Sequence, residues 1–158
     1  MKRFAMLATV VVMAAAAVAP AAQANVVLTF AAPALDGSFS GSFADTGIPS
    51  GTFTDTANFT LPSGSAGATI SSIMASSQQT NVNFSAVSLD GVQFAIGSTG
   101  NVEFRFLNPI PVQSGTQTLV VSGISGGDGS FAGTIAFSPA SAVPEPSTWA
   151  MMILGFEA

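Results

Sequence analysis

Cysteine, histidine and tyrosine are all absent from this chain of 158 residues, and Lys and Arg together number three. The missing thiols and imidazoles exclude a cysteine nucleophile, a histidine base, zinc sites built on thiolate or imidazole, and any disulfide framework. Serine and threonine are plentiful, but a serine nucleophile needs a base, and the only lysine is Lys2 at the amino end. Charged residues make up 7% of the chain against 48% hydrophobic ones, so stability has to come from apolar burial and backbone pairing. Thirteen Phe argue against a disordered chain, which would be poor in aromatics.

What is present begins with an address. Lys2 and Arg3 precede a small and apolar run from Phe4 to Ala19, which leads into Pro20-Ala21-Ala22-Gln23-Ala24. A positive region, an apolar region and an Ala-x-Ala end are the three parts of a secretory signal peptide. The pattern predicts residues 1–24 as that peptide, with Ala22 and Ala24 marking cleavage by a signal peptidase after Ala24. Removing 24 of 158 residues leaves 134, with Arg105 as the one base against Asp36, Asp45, Asp55, Asp90, Glu103, Asp128, Glu145 and Glu157. Phosphate binding depends on clustered Lys and Arg, so nucleic acid is excluded as a partner.

Residues 25–138 read as the β-sandwich domain, with period-two alternation, the mark of β-strands, dominating from Val26 to Phe137. Val102, Phe104 and Phe106 alternate with Glu103 and Arg105. The reading places the three apolar residues on the core face and the charged pair on the solvent face. Val92, Phe94 and Ile96 repeat the pattern, as do Phe131, Gly133, Ile135 and Phe137. Asp90-Gly91 is a two-residue hairpin signal, and Gly126-Gly127-Asp128-Gly129 reads as a second, glycine-rich hairpin. Strands are expected near 26–31, 37–44, 51–60, 68–74, 80–89, 92–97, 101–107, 117–124 and 130–138. The predicted fold is a single all-β antiparallel sandwich of about nine short strands. Residues 139–146 shift to Pro, Ala and Ser and read as a linker, and 147–158 as a short apolar helix.

Two carboxylates flanking a bond are the one enzyme constellation this inventory leaves open, since a glycosidase needs nothing else that ionises. Asp45 and Asp55 are the pair to consider, because Phe43-Ala44-Asp45-Thr46 and Phe53-Thr54-Asp55-Thr56 echo one another and read as the ends of two similar strands that could bring the carboxylates together. A role in shaping turns weighs more heavily, as does the lack of Trp and Tyr in the β domain for stacking sugars. Asp128 among glycines is a weaker match to a calcium loop than to a turn. No cofactor, metal ligand or catalytic residue is expected.

The end of the chain reads Pro144-Glu145-Pro146-Ser147-Thr148-Trp149-Ala150, followed by apolar residues to Phe156. This closely resembles the sorting tail of PEP-CTERM proteins. Pro144, Glu145, Pro146, Trp149 and Ala150 match that tail at its spacing. Phe53 and Asp55, with Phe59 two residues beyond the expected second aromatic, resemble the FxDxF subgroup. The resemblance implies an exported protein of a Gram-negative bacterium that makes exopolysaccharide, with the tail read by a membrane-embedded exosortase. The apolar stretch from Trp149 to Phe156 gives a helix of about 12 Å, short of a hydrocarbon core of about 30 Å, and no basic cluster follows it. A shortened sorting tail is therefore expected.

The combined expectation is a non-catalytic cell-surface or biofilm-matrix protein. Its partners would be the export machinery, the signal peptidase and an exosortase, with extracellular polysaccharide as a further contact. It would be found in the periplasm in transit, then at the outer surface, in the matrix or in the medium. A carbohydrate-binding β-sandwich module is the alternative, and a carboxylate-pair glycosidase the second.

Overall fold

A computed structural model of the protein describes residues 26–74 and 81–140. They form ten strands: β1 (Val27–Phe30), β2 (Phe39–Ile48), β3 (Gly51–Leu61), β4 (Gly64–Ile73), β5 (Val82–Leu89), β6 (Val92–Gln93), β7 (Ala95–Ser98), β8 (Val102–Val112), β9 (Gly115–Ser125) and β10 (Gly129–Pro139). All pairings are antiparallel. One sheet runs β1-β2-β10-β4-β8-β7 and the other β3-β9-β5-β6.

Most connections change sheet. The chain passes to the four-stranded sheet at Ile48–Gly51, returns between Leu61 and Gly64, and goes on exchanging sides. Only β1-β2, β5-β6 and β7-β8 are consecutive strands that also pair. The hairpin at Asp90-Gly91 forms as the sequence indicates, with φ of 49° and 80° at the two positions. The glycine-rich stretch 126–129 does not make a hairpin. It carries the chain from β9 in one sheet to β10 in the other, and Ser125 ties it down by donating to the Ile48 carbonyl and accepting from the Gly127 amide.

Both sheets contribute alternate residues to one core. On β3, Phe53, Asp55, Ala57, Phe59 and Leu61 are all buried; on β10, Phe131, Ile135 and Phe137 are. Aromatic rings join the layers. Phe53 stacks on Phe131 at 6.2 Å, Phe84 meets Phe131 edge-on at 6.0 Å, and Phe30 lies 5.5 Å from Phe59. Each fully buried side chain of this size contributes about 1.5–3 kcal/mol. Glycines make room for the rings: Phe30, Phe43 and Phe53 lie directly opposite Gly41, Gly133 and Gly123; a Cβ at Gly41 or Gly133 would collide with the facing ring, and one at Gly123 with the Asn83 carbonyl, tight against the Phe53 ring.

Three more expectations are corrected. The strand expected at 92–97 is two strands in different sheets. Phe94 is buried at the crossing, with its amide bonded to the Val87 carbonyl, while Val92 and Ile96 are exposed. On β8 the faces are the reverse of those predicted: Glu103, Arg105 and Leu107 point into the core, while Val102 is exposed and Phe104 and Phe106 are half-buried on the outside. Asp45 and Asp55 do not end strands or shape turns; both sit in mid-strand on core-facing positions.

Candidate functional site

The residues singled out by sequence scatter in three ways. Ala22, Ala24, Pro144, Glu145, Pro146, Trp149 and Ala150 lie outside the described residues. Phe53, Asp55 and Phe59 are brought together on the inner face of β3, at 3%, 1% and 8% exposure, where the two Phe pack against Phe131 and Phe30. Their alternation along a strand is the signal of a core face. Asp45 and Asp55 stand on strands of opposite sheets, β2 and β3. The Asp45 carboxylate accepts from the Thr46 amide at 2.6 Å. Among the described residues, no three His, Cys, Asp or Glu side chains converge into a metal-binding group.

The charges on β8 form a buried constellation that sequence reasoning placed in solvent. Arg105 lies 2.9 Å from Glu103. Its guanidinium donates to the carbonyls of Ser98 and Phe104 from Nη1 and of Phe84 from Nη2, at 2.8, 3.1 and 3.0 Å, and sits 5.8 Å above the Phe84 ring. Glu103 in turn accepts from the Gly100 amide at 3.1 Å. Ser98 and Phe84 both stand where strand register shifts, in β7 against β8 and in β5 against β9. A bulge disrupts the ladder locally, and Arg105 supplies donors at two such places. It thereby fastens the β7 edge of one sheet to β5 of the other. The role is structural: the guanidinium is spent on backbone oxygens.

The opposite surface of the six-stranded sheet has different chemistry. Register aligns Thr29, Ser42, Thr134, Thr69, Phe106 and Ala95 in a single row across all six strands. The neighbouring row runs Val27, Ala44, Ala132, Ser71 and Phe104. Phe104 and Phe106, successive outward residues of β8, stack with ring centroids 6.1 Å apart and planes inclined by 23°. A Cβ on Gly97 would strike the Phe104 ring, so that glycine on β7 is what allows the ring to lie down on the sheet. The Thr69 and Thr134 hydroxyls are 3.0 Å apart and exposed.

Four shallow depressions open along this face and its β1–β2 margin. One, of about 240 Å³, is bounded by Phe106, Asn108, Pro109, Thr69 and Thr134 over the bare backbone of Gly67. None of the four is lined by a charged side chain. Among the described residues the exposed carboxylates, Asp36, Asp90 and Asp128, lie in connections between strands. The alignment of outward Ser and Thr with the Phe pair follows from strand register and has no local signal in the sequence.

No protein-family model matches the sequence, and no curated protein matches it either.

Proposed function

We propose that this is an exported, non-catalytic protein of the PEP-CTERM type, in which the two sheets form a rigid β-sandwich displayed at the outer surface or in the exopolysaccharide matrix of a Gram-negative bacterium. The observation that carries the reading is the pairing of a signal-peptide pattern ending at Ala24 with Pro144-Glu145-Pro146 and Trp149-Ala150 at the other end. The exosortase would read the second pattern, and the signal peptidase the first. Consistent with a tail read apart from the domain, β10 ends at Pro139, five positions before Pro144. The non-catalytic part is favoured by the inward placement of Asp45 and Asp55 and by depressions that lack carboxylates.

Fractionation of the producing cells with mass spectrometry of the mature termini tests the proposal. An amino terminus at Asn25 and a carboxy terminus within 144–146 are expected. Recovery of residues 1–24 on the exported protein, or of an uncut tail in the medium, overturns the corresponding half. Replacing Pro144, Glu145 and Pro146 by Ala should abolish the tail cleavage and leave the amino terminus unchanged.

A further inference from the structure

We propose that the outer face of the six-stranded sheet binds a neutral, extended polysaccharide chain, with Phe104 and Phe106 as the stacking platform and Thr69, Thr134, Ser42 and Thr29 as the hydrogen-bonding row. The inference is independent of the sorting tail, since it rests on side chains of the folded domain alone.

Three properties of the face select this occupant. The first is the aromatic pair. A phenyl face is electron-rich and attracts the C–H-bearing face of a pyranose, which no other side of a sugar offers as apolar surface. Phe106 and Phe104 are half-buried and held in place by one another and by Gly97, so a ring settling on them orders little that was free before.

The second is the hydroxyl row that continues from Phe106. Strands stand about 4.8 Å apart, close to the length of one pyranose unit, so Thr69, Thr134, Ser42 and Thr29 present hydroxyls at the repeat of an extended sugar chain. Each hydroxyl both donates and accepts, as each sugar hydroxyl does. The contact between Thr69 and Thr134 uses one of the two hydroxyl hydrogens, whichever side donates, so the exposed pair keeps the other hydrogen and most of its lone pairs for a ligand. The outer face of the four-stranded sheet also carries Thr, Ser and Asn, in pairs such as Thr54–Ser122 and Asn58–Thr118. Among the described residues it has no aromatic platform beside them.

The third is charge. Arg105, the only base among the described residues, is turned inward and engaged with Glu103 and three carbonyls. Among the described residues, no cation on the face is available to recognise uronate, sulfate or phosphate groups, and no carboxylate there offers a partner to a cationic sugar. The complement of such a surface is a neutral glycan.

The test is affinity electrophoresis and calorimetry of the full chain with cellohexaose, xylohexaose, laminarin and dextran, and with alginate as the polyanion. Binding to at least one neutral glycan is expected. It should weaken about tenfold in Phe106→Ala and several-fold in Thr134→Val, which keeps the side-chain shape and removes one hydroxyl. Circular dichroism checks that the variants fold; should Phe106→Ala fail, Thr134→Val and Thr69→Val carry the test. Binding to none of the neutral glycans, binding to alginate alone, or binding indifferent to these substitutions overturns the proposal. So does a wild-type dimer, seen by sedimentation, that Phe106→Ala converts to monomer, because the face would then meet a second copy. Fractionation of the producing cells with mass spectrometry of the mature termini reads export separately, so either reading fails on its own.

Discussion

Arg105 and Glu103, two positions apart on β8, meet at 2.9 Å inside the protein with side-chain exposures of 8% and 3%. An exposed pair of this kind contributes little, but this one is buried, and the guanidinium also serves carbonyls on both sides of the core. Arg105→Met should therefore destabilise the fold by about 3–5 kcal/mol, since it strands the Glu103 charge and leaves the bulge carbonyls without their donor. Glu103→Leu combined with Arg105→Met should recover part of that loss and not all of it, as the carbonyls stay unpaired. Urea denaturation measures both; an Arg105→Met loss under about 1 kcal/mol would contradict the assigned role.

Phe53, at 3% exposure, tests whether the residues resembling a subgroup signature serve recognition or packing. Phe53→Ala removes the ring stacked on Phe131 and should cost about 3–5 kcal/mol. The fraction that folds should still be exported and processed. Unchanged stability with lost processing would instead make Phe53 part of a recognition element.

Glycine substitutions should separate two physical causes. A Cβ at Gly133 meets the Phe43 ring and the Thr69 carbonyl, so Gly133→Ala should cost about 1–3 kcal/mol through steric conflict. At Gly91 the space is open and φ is +80°, so the penalty of Gly91→Ala, about 1 kcal/mol, is conformational. Gly91→Asn should be milder, because Asn tolerates the left-handed region. Thermal melts of the three variants give the comparison.

Asp36 supplies a pH signature. The Ser38 hydroxyl, at 2.6 Å, and the Ser38 amide, at 2.9 Å, hold its carboxyl below the ordinary 3.8. A depressed carboxyl contributes above its unfolded value and loses the contribution as pH falls through the lower, folded value. Ser38→Ala should move the carboxyl titration, followed by NMR, back toward 3.8. A midpoint unmoved by the substitution would refute the assignment to the hydroxyl.

The reversal on β8 shows what alternation conveys. Val102-Glu103-Phe104-Arg105-Phe106 established a strand, and hydrophobicity alone turned the Phe inward. A period of two leaves the phase open, and phase depends on which neighbours cover each face. Here the bulges at Ser98 and Phe84 present carbonyls to Arg105, while Gly97 gives Phe104 a place to lie outside. Those partners are seven, twenty-one and seven residues from the Phe and Arg that they engage. No local pattern announces them. On β10, where Phe131, Ile135 and Phe137 face a core supplied by both sheets, phase and hydrophobicity agreed.

Composition, period-two alternation and one dipeptide were enough to read an all-β fold without disulfides and the turn at Asp90-Gly91, and the proposed destination rests on two terminal patterns legible only as sequence. Tertiary structure decided which sheet each strand joins, because turn residues reverse a chain without choosing its next neighbour. It also decided that the charged pair is interior and that hydroxyls from four strands line up beside two Phe rings. Both are consequences of register between residues distant in the chain, fixed when the two sheets close over their shared core.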